Sequence, residues 1–244
     1  MIPRSKHVET VRRTPGFPHL ISLLGVTMFF TLSSSAAISI KETSYGPMPF
    51  GVLENRIVES PDGLHVAAPC LHDGRAHVWH DGKLLGPYLD TAEQVFSPDS
   101  RHLAFIMVRL GRWHVIRDGA AVGDYDGMIG KSLRFSPDSR HLVFGANTGG
   151  KQHVVLDGSA GSRYDKIIED SILFSPDSHR LAYVAVRQGK FVVVLDEKES
   201  EPYDGVGKES MVFDSTGSRF GYVATTEGKW FAVIDGKPGP RFTN

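Results

Sequence analysis

Three observations predict an all-β fold. A block of 39 residues recurs through most of the chain. Inside each block, short apolar runs alternate with turns rich in Gly, Pro, Asp and Ser. The second run of each block is apolar at nearly every position, as a strand buried on both faces must be. Four short strands per block, at a period near 40, predict a β-propeller of four-stranded blades, and five blocks predict five blades.

The repeat is read from columns in register. Phe96, Phe135, Phe174 and Phe213 are 39 residues apart, and the first three open the string FSPDS. Asp118, Asp157, Asp196 and Asp235 keep the same step, as do Gly111, Gly150, Gly189 and Gly228, and Tyr125, Tyr164, Tyr203 and Phe242. An earlier copy lies 37 residues upstream of the second, with ESPDG at 59–63, Gly74, Asp81 and Tyr88.

Taken in order, the second copy shows why each element forms. Residues 93–96 (EQVF) are the first strand. The SPDS turn follows, with Pro98 presetting φ and its polar neighbours able to bond nearby backbone. Residues 103–108 (LAFIMV) are the second strand, and Gly111 marks a hairpin. Residues 113–117 (WHVIR) are the third strand, closed by the Asp118-Gly119 hairpin signal. Residues 122–125 (VGDY) are a short fourth strand.

The string FSPDS followed by Leu-Ala or Leu-Val resembles the Ser-Pro-Asp-Gly segment of WD-repeat proteins. It is more similar to the repeats of TolB-type periplasmic propellers and of propeller domains in prolyl-oligopeptidase-like enzymes. The WD dipeptide itself is missing. The resemblance implies a propeller fold over residues 46–244 and, from TolB-type proteins, a periplasmic or cell-surface protein partner. It says little about activity, because such propellers serve many roles.

Six segments compete for the fourth-strand positions of five blades, those at 46–50 and 239–242 lying at the two ends. The end segments therefore compete for one blade, or one of them lies outside the sheet; the expectation is a closed ring, whose closure between the two ends hides the edge strands. Completion of a larger ring by a second chain is the alternative. Loss of residues 210–244 should abolish cooperative unfolding if the ring is closed.

Ahead of the repeats, residues 1–18 carry Arg4, Lys6, Arg12 and Arg13 against Glu9. An apolar run at 20–32 and the small residues SSSAA at 33–37 follow. This is the pattern of a secretory signal, with cleavage after Ala37. Uncleaved, residues 17–40 are long enough to anchor the chain in a membrane. The expected organisation is a signal peptide or anchor at 1–37, a linker at 38–45 and the propeller at 46–244, exported to the periplasm or beyond.

Composition narrows the function. The 244 residues carry 27 Lys+Arg and 28 Asp+Glu, a net charge of -1, which excludes the basic excess of an electrostatic nucleic-acid binder. Removing residues 1–37 leaves a net of -4, with 23 bases and 27 acids. The single Cys70 excludes an intramolecular disulfide framework and a multi-cysteine zinc site.

The candidate site is a rim. Propeller connectivity places Arg75, Arg112, Lys151, Lys190 and Lys229 at one equivalent position, in the hairpins between second and third strands. Five bases in a ring can attract an anionic ligand or an acidic partner. Equally, a base after Gly is an ordinary solvated hairpin residue. Acids crowd the same rim at Asp90, Asp126, Asp165, Glu169, Asp170, Asp204 and Glu209, which raises a glycosidase pair. They recur beside turns, however, whereas an acid–base pair needs two unlike environments. His65, His102 and His141, with His77, His114 and His153, read as structural. Trp79, Trp113, Trp230 and the repeated tyrosines fill space between blades or stack on sugars. No GxSxG, P-loop or GxGxxG string occurs. The expected function is a non-catalytic protein-binding module without cofactor or metal. A carbohydrate-binding propeller comes second and a glycoside hydrolase third.

Overall fold

The protein is described by a computed structural model covering residues 21–23, 26–32, 38–45, 48–49 and 51–242. The chain divides into two compact units, Met1–Ser44 and Tyr45–Asn244. In the first, Ile21–Leu23, Val26–Leu32 and Ile38–Ser44 form one antiparallel sheet in that order. Residues 26–32 of the apolar run are thus a strand. Among the described residues no helix is long and apolar enough to cross a membrane. The basic segment and the cleavage position after Ala37 lie outside the described residues.

The second unit is a series of five small antiparallel sheets, each an uninterrupted meander in chain order. The first sheet runs Val58–Glu59, Val66–His72, Arg75–His80 and Lys83–Tyr88. The second runs Asp90–Phe96, Leu103–Arg109, Arg112–Arg117 and Ala120–Tyr125. The third, fourth and fifth repeat this plan around the long central pairs Leu142–Thr148/Lys151–Leu156, Leu181–Arg187/Lys190–Leu195 and Phe220–Thr226/Lys229–Ile234. All-β architecture and the strand order of each copy are therefore as the repeat predicts.

The two-residue difference between the 37- and 39-residue steps has a structural cause. In the second sheet the first strand is continuous from Asp90 to Phe96. In the third it is split into Gly127–Met128 and Arg134–Phe135, both paired with the same central strand. The extra residues form a bulge tied by Ser132, whose hydroxyl donates to Ile129 O (2.5 Å) and accepts from Gly145 N (2.9 Å). Ser171 and Ser210 repeat that bridge in the fourth and fifth sheets.

Each sheet packs its later face onto the earlier face of the next. Ala104, Ile106 and Val115 of the second sheet meet Leu142, Phe144 and Val155 of the third. One step on, Val143 and Val154 meet Tyr183, Val192 and Val194. Ala182, Val184 and Val193 then meet Phe220, Tyr222 and Val233. The repeated tyrosine inserts across each interface: Tyr88 against Phe105, Tyr125 against Phe144, Tyr164 against Tyr183 and Tyr203 against Tyr222. This double-sided burial is why the second strands are apolar throughout.

The two ends differ. The earlier face of the first sheet (Val66, Ala68, Cys70, Trp79) is covered by Tyr45, Met48, Val52 and Ile57. Tyr45 is itself buried there and donates to Gly63 O. The later face of the fifth sheet is bare: Ala232 is exposed, as are Val212, Ile234 and Phe242. Among the described residues no buried cluster joins the fifth sheet to the first, so the closed ring expected from sequence is not formed there. Among the described residues no strand is shared between the ends. Phe242 pairs with Trp230 of its own sheet, and Met48 and Pro49 of the competing segment are not in a strand.

Candidate functional site: two rims and a cleft

One rim carries the five bases. Arg75, Arg112, Lys151, Lys190 and Lys229 each open the third strand of their sheet, so the equivalence read from sequence is a structural one. The middle three are not free. Arg112 pairs with Asp124 (3.1 Å) and Asp126, Lys151 with Asp165, and Lys190 with Asp204 (2.5 Å). The second oxygen of each recurring acid reaches the next sheet: Asp126 accepts from Gly149 N, Asp165 from Gln188 N and Asp204 from Glu227 N, all at 2.7 Å. Each acid thus staples the base of one hairpin to the backbone of the following hairpin. The lysine and that backbone N–H hold the Asp165 and Asp204 carboxyls below the usual range. The sequence offers Leu89 where the first staple acid would stand. What remains available for an anionic ligand at this rim is therefore much less than five bases suggest.

The opposite rim holds the SPDS turns and the Asp-Gly hairpins. Here one of the two histidine columns resolves. His65, His102 and His141 each place Nδ1 2.6–2.7 Å from Asp81, Asp118 and Asp157. Arg180 and Arg219 take the same position against Asp196 and Asp235, at 2.9 and 3.0 Å. The other oxygen of each aspartate accepts the backbone N–H that starts the second strand. This histidine- or arginine–carboxylate clasp closes the base of every sheet. It was missed from sequence although its signal is present: the two columns stay 16 residues apart, and Arg replaces His with a nitrogen donor kept in place. In the first sheet His80 joins the clasp, and ligand atoms of His65, His80 and Asp81 lie within 4.8 Å of one another. That donor set has the chemistry for a divalent transition metal. Arg117 occupies the equivalent place beside Asp118, at 3.7 Å, so a second nitrogen-bearing side chain there belongs to the clasp. The other column is buried at His77 and His153, and burial pushes the His153 imidazole down.

A cleft of about 460 Å³ opens on this rim between the third and fourth sheets. Its floor is Val154, Leu156, Phe174, Leu181 and Tyr183, and its mouth is Arg140, His141, His179, Arg180, Asp138, Asp196 and Glu197. Its origin is local. At the other interfaces a side chain lies over the repeated phenylalanine of the next sheet: His80 over Phe96, Arg117 over Phe135 and Arg180 over Phe213. Over Phe174 the residue equivalent to His80 and Arg117 is Leu156. Val122, which packs into the neighbouring interface, is replaced by Gly161. Leu195 and Ser200 stand in the same two columns at the following interface, where Arg180 lies over Phe213, so the short side chains Leu156 and Gly161 line the gap without being peculiar to it. Asp138 and Asp196 at the mouth are committed to local hydrogen bonds, while the Arg140 and His179 side chains are each 82% exposed.

Several sequence candidates are placed elsewhere. Trp79 is buried under the segment that covers the first sheet, and the tyrosines at 125, 164 and 203 are buried between sheets, so stacking on sugars is closed to them. Glu169, Asp170 and Glu209 sit in the serine-tied bulges, where Asp170 and Glu209 take left-handed φ. Asp90 caps its own turn through Thr91 N.

No family model and no curated protein matches this chain. Its solved structural neighbours are TolB-type and other β-propeller proteins. TolB from Acinetobacter baumannii is 15% identical with a TM-score of 0.42, covering 89% of this chain and 60% of that one. A putative TolB from Agrobacterium tumefaciens is 17% identical with a TM-score of 0.39, covering 91% and 86%. The dihydro-heme d1 dehydrogenase NirN is 14% identical with a TM-score of 0.44, covering 95% and 56%. The chain thus spans 60% of the length of the first of these structures.

Proposed function

We propose that the chain is an exported, non-catalytic recognition module built on five propeller-type blades, and that it binds a protein partner at the cleft-bearing rim. Residues 1–37 serve as its signal peptide or anchor. The observation that carries this reading is the cleft between the third and fourth sheets, which opens over Phe174 and is lined by Leu156 and Gly161. An apolar floor under the exposed Arg140 and His179 suits an acidic or amide-rich loop ending in an apolar side chain. The rest of the recurring polar chemistry is spent on clasps and staples, which hold many short turns rigidly on one rim.

The enzyme alternative gains no support from the carboxylates. A glycosidase acid needs a raised pKa, and the resolved shifts at Asp99, Asp138, Asp165, Asp177, Asp204, Asp214 and Asp235 are all downward. The test is affinity capture from envelope extract with the wild type beside Gly161→Val and Arg140→Glu, and a glycan array in parallel. A protein enriched by the wild type and lost with both variants is expected. Equal capture by Gly161→Val, glycan binding in its place, or turnover of aryl glycosides would overturn the reading.

A further inference from the structure

The clasp at the base of the first sheet differs from the other four. In the second sheet His102 and Arg117 flank the clasp aspartate, and in the third His141 stands with Leu156. In the fourth and fifth, Arg180 and Arg219 stand with Leu195 and Ile234. A guanidinium keeps its protons and an aliphatic side chain has no lone pair, so none of these offers a second ligand nitrogen. Among the described residues only the first sheet sets two imidazoles beside one carboxylate. His65 Nδ1 lies 2.6 Å and His80 Nε2 3.5 Å from Asp81 Oδ2. The clasp itself does not require the second imidazole, since arginine, leucine or isoleucine serves in that column elsewhere.

We propose that His65, His80 and Asp81 form a site for a divalent transition-metal ion of the zinc type, against the expectation from sequence of no metal. Two nitrogens and one carboxylate oxygen are ligands such ions take, whereas calcium and magnesium want oxygen alone. Tetrahedral zinc holds its ligands at about 2.0–2.2 Å, which sets them roughly 3.3 Å apart. The His80–Asp81 separation is already close to that, and the His65–Asp81 pair opens by about 0.7 Å to reach it. The ligands are held from outside. Asp81 has a left-handed φ of 45° in its hairpin, and its other oxygen accepts from Val66 N at 2.9 Å. His65 N donates to Ser60 Oγ, and His80 ends a strand paired with Ala67 and Lys83. Phe96 lies against both imidazoles, with ring centroids 6.4 and 5.8 Å away. Support of this kind orients metal ligands. The Asp62 and Asp118 carboxylates add negative potential around the imidazoles, opposed by Lys83. The three side chains are 30–42% exposed, so an ion can enter. Three protein ligands leave a fourth position to water or to an incoming group. The site belongs to the first sheet and does not depend on the partner proposed at the cleft.

The experiment is calorimetric titration of the full-length chain with zinc chloride, with calcium chloride beside it, and thermal unfolding with and without zinc. The variants are His65→Arg and His80→Arg, each replacing a ligand by the residue its column carries in another sheet, at Arg180 and Arg117. His141→Arg is the control, because its clasp has one imidazole only. Saturable binding of one zinc ion per chain, with a raised Tm, is expected for wild type and His141→Arg. His65→Arg and His80→Arg should each weaken binding at least about tenfold and abolish the rise in Tm, with wild-type circular dichroism. No saturable zinc binding by the wild type, unchanged binding by both first-sheet variants, equal loss in His141→Arg, or calcium bound as tightly as zinc would overturn the proposal.

Discussion

At positions 100, 139 and 178 a serine takes a left-handed backbone, with φ of 66°, 68° and 65°, where glycine would be unstrained. The reason is its hydroxyl, which accepts the amide of Asp62, Asp99 or Asp138 from the preceding sheet at 2.9–3.0 Å. At the fifth turn the residue is Gly217, because a Cβ there would come within 2.4 Å of the Asp177 carboxylate. Ser139→Ala should therefore cost about 1–3 kcal/mol by leaving the Asp99 amide unpaired while keeping the strain. Ser139→Gly should cost less, since it loses the bond but relieves the strain; urea titration separates the two. The turn aspartates make a second prediction. The Ser97 and Ser136 hydroxyls and a backbone N–H hold Asp99 and Asp138 below the usual carboxylate range. A depressed carboxylate adds stability that is full above its unfolded pKa and is lost as pH falls through the folded value. Burial also pushes His80 and His153 down, which adds a loss beginning below about pH 6.5. Calorimetry should show Tm level above pH 7, falling gently from there and steeply below about pH 4. A Tm independent of pH down to 3 would contradict the turn chemistry and the burial of the two histidines. The sequence shows that these residues recur, but a repeated column does not say which of its members touch across sheets.

The strands are the most legible element, because alternating turns and doubly buried runs constrain them from both sides. The predicted 103–108 and 113–117 emerge as Leu103–Arg109 and Arg112–Arg117. The bulges were less legible: a two-residue change of step was visible, but only its tying serine reveals where the extra residues go. The basic ring was legible as a position but not as a charge, since staple acids 14 residues further on pair with three of its five members. Stapling is an exposed interaction, so Asp165→Ala should change global stability by less than about 1 kcal/mol. Its effect should be local, speeding hydrogen exchange at the Gln188 amide that Asp165 accepts. Unchanged exchange there would argue against the staple. The inserted aromatics give a sharper contrast. Tyr164 is 1% exposed and its hydroxyl donates to Glu199, so Tyr164→Ala should cost about 3–5 kcal/mol. Phe242→Ala, in the same column but without a sheet to enter, should cost within about 0.5 kcal/mol under dilute conditions.

For the whole molecule, repeat length and number were legible and closure was not. Each column looks the same whether or not a sixth neighbour exists: Val212 and Ile234 are as apolar as Leu173 and Leu195, so nothing in the residues announces a bare face. The cleft was hidden for the opposite reason, since Leu156 and Gly161, which line it, are ordinary letters in their columns. The structure describes a series capped at its first sheet and bare at its fifth, with nearest-neighbour interfaces between. In such a series stability is a sum of sheets and their contacts, so an end can be lost without dissolving the remainder. A closed ring lacks that tolerance, because losing a blade opens two interfaces. The direct test is thermal unfolding of a chain ending at residue 206, which lacks most of the fifth sheet. An open series predicts a β-rich protein that still melts cooperatively at a lower Tm, with the Ala182–Val193 face newly bare. Loss of the cooperative transition would contradict the account and restore the ring.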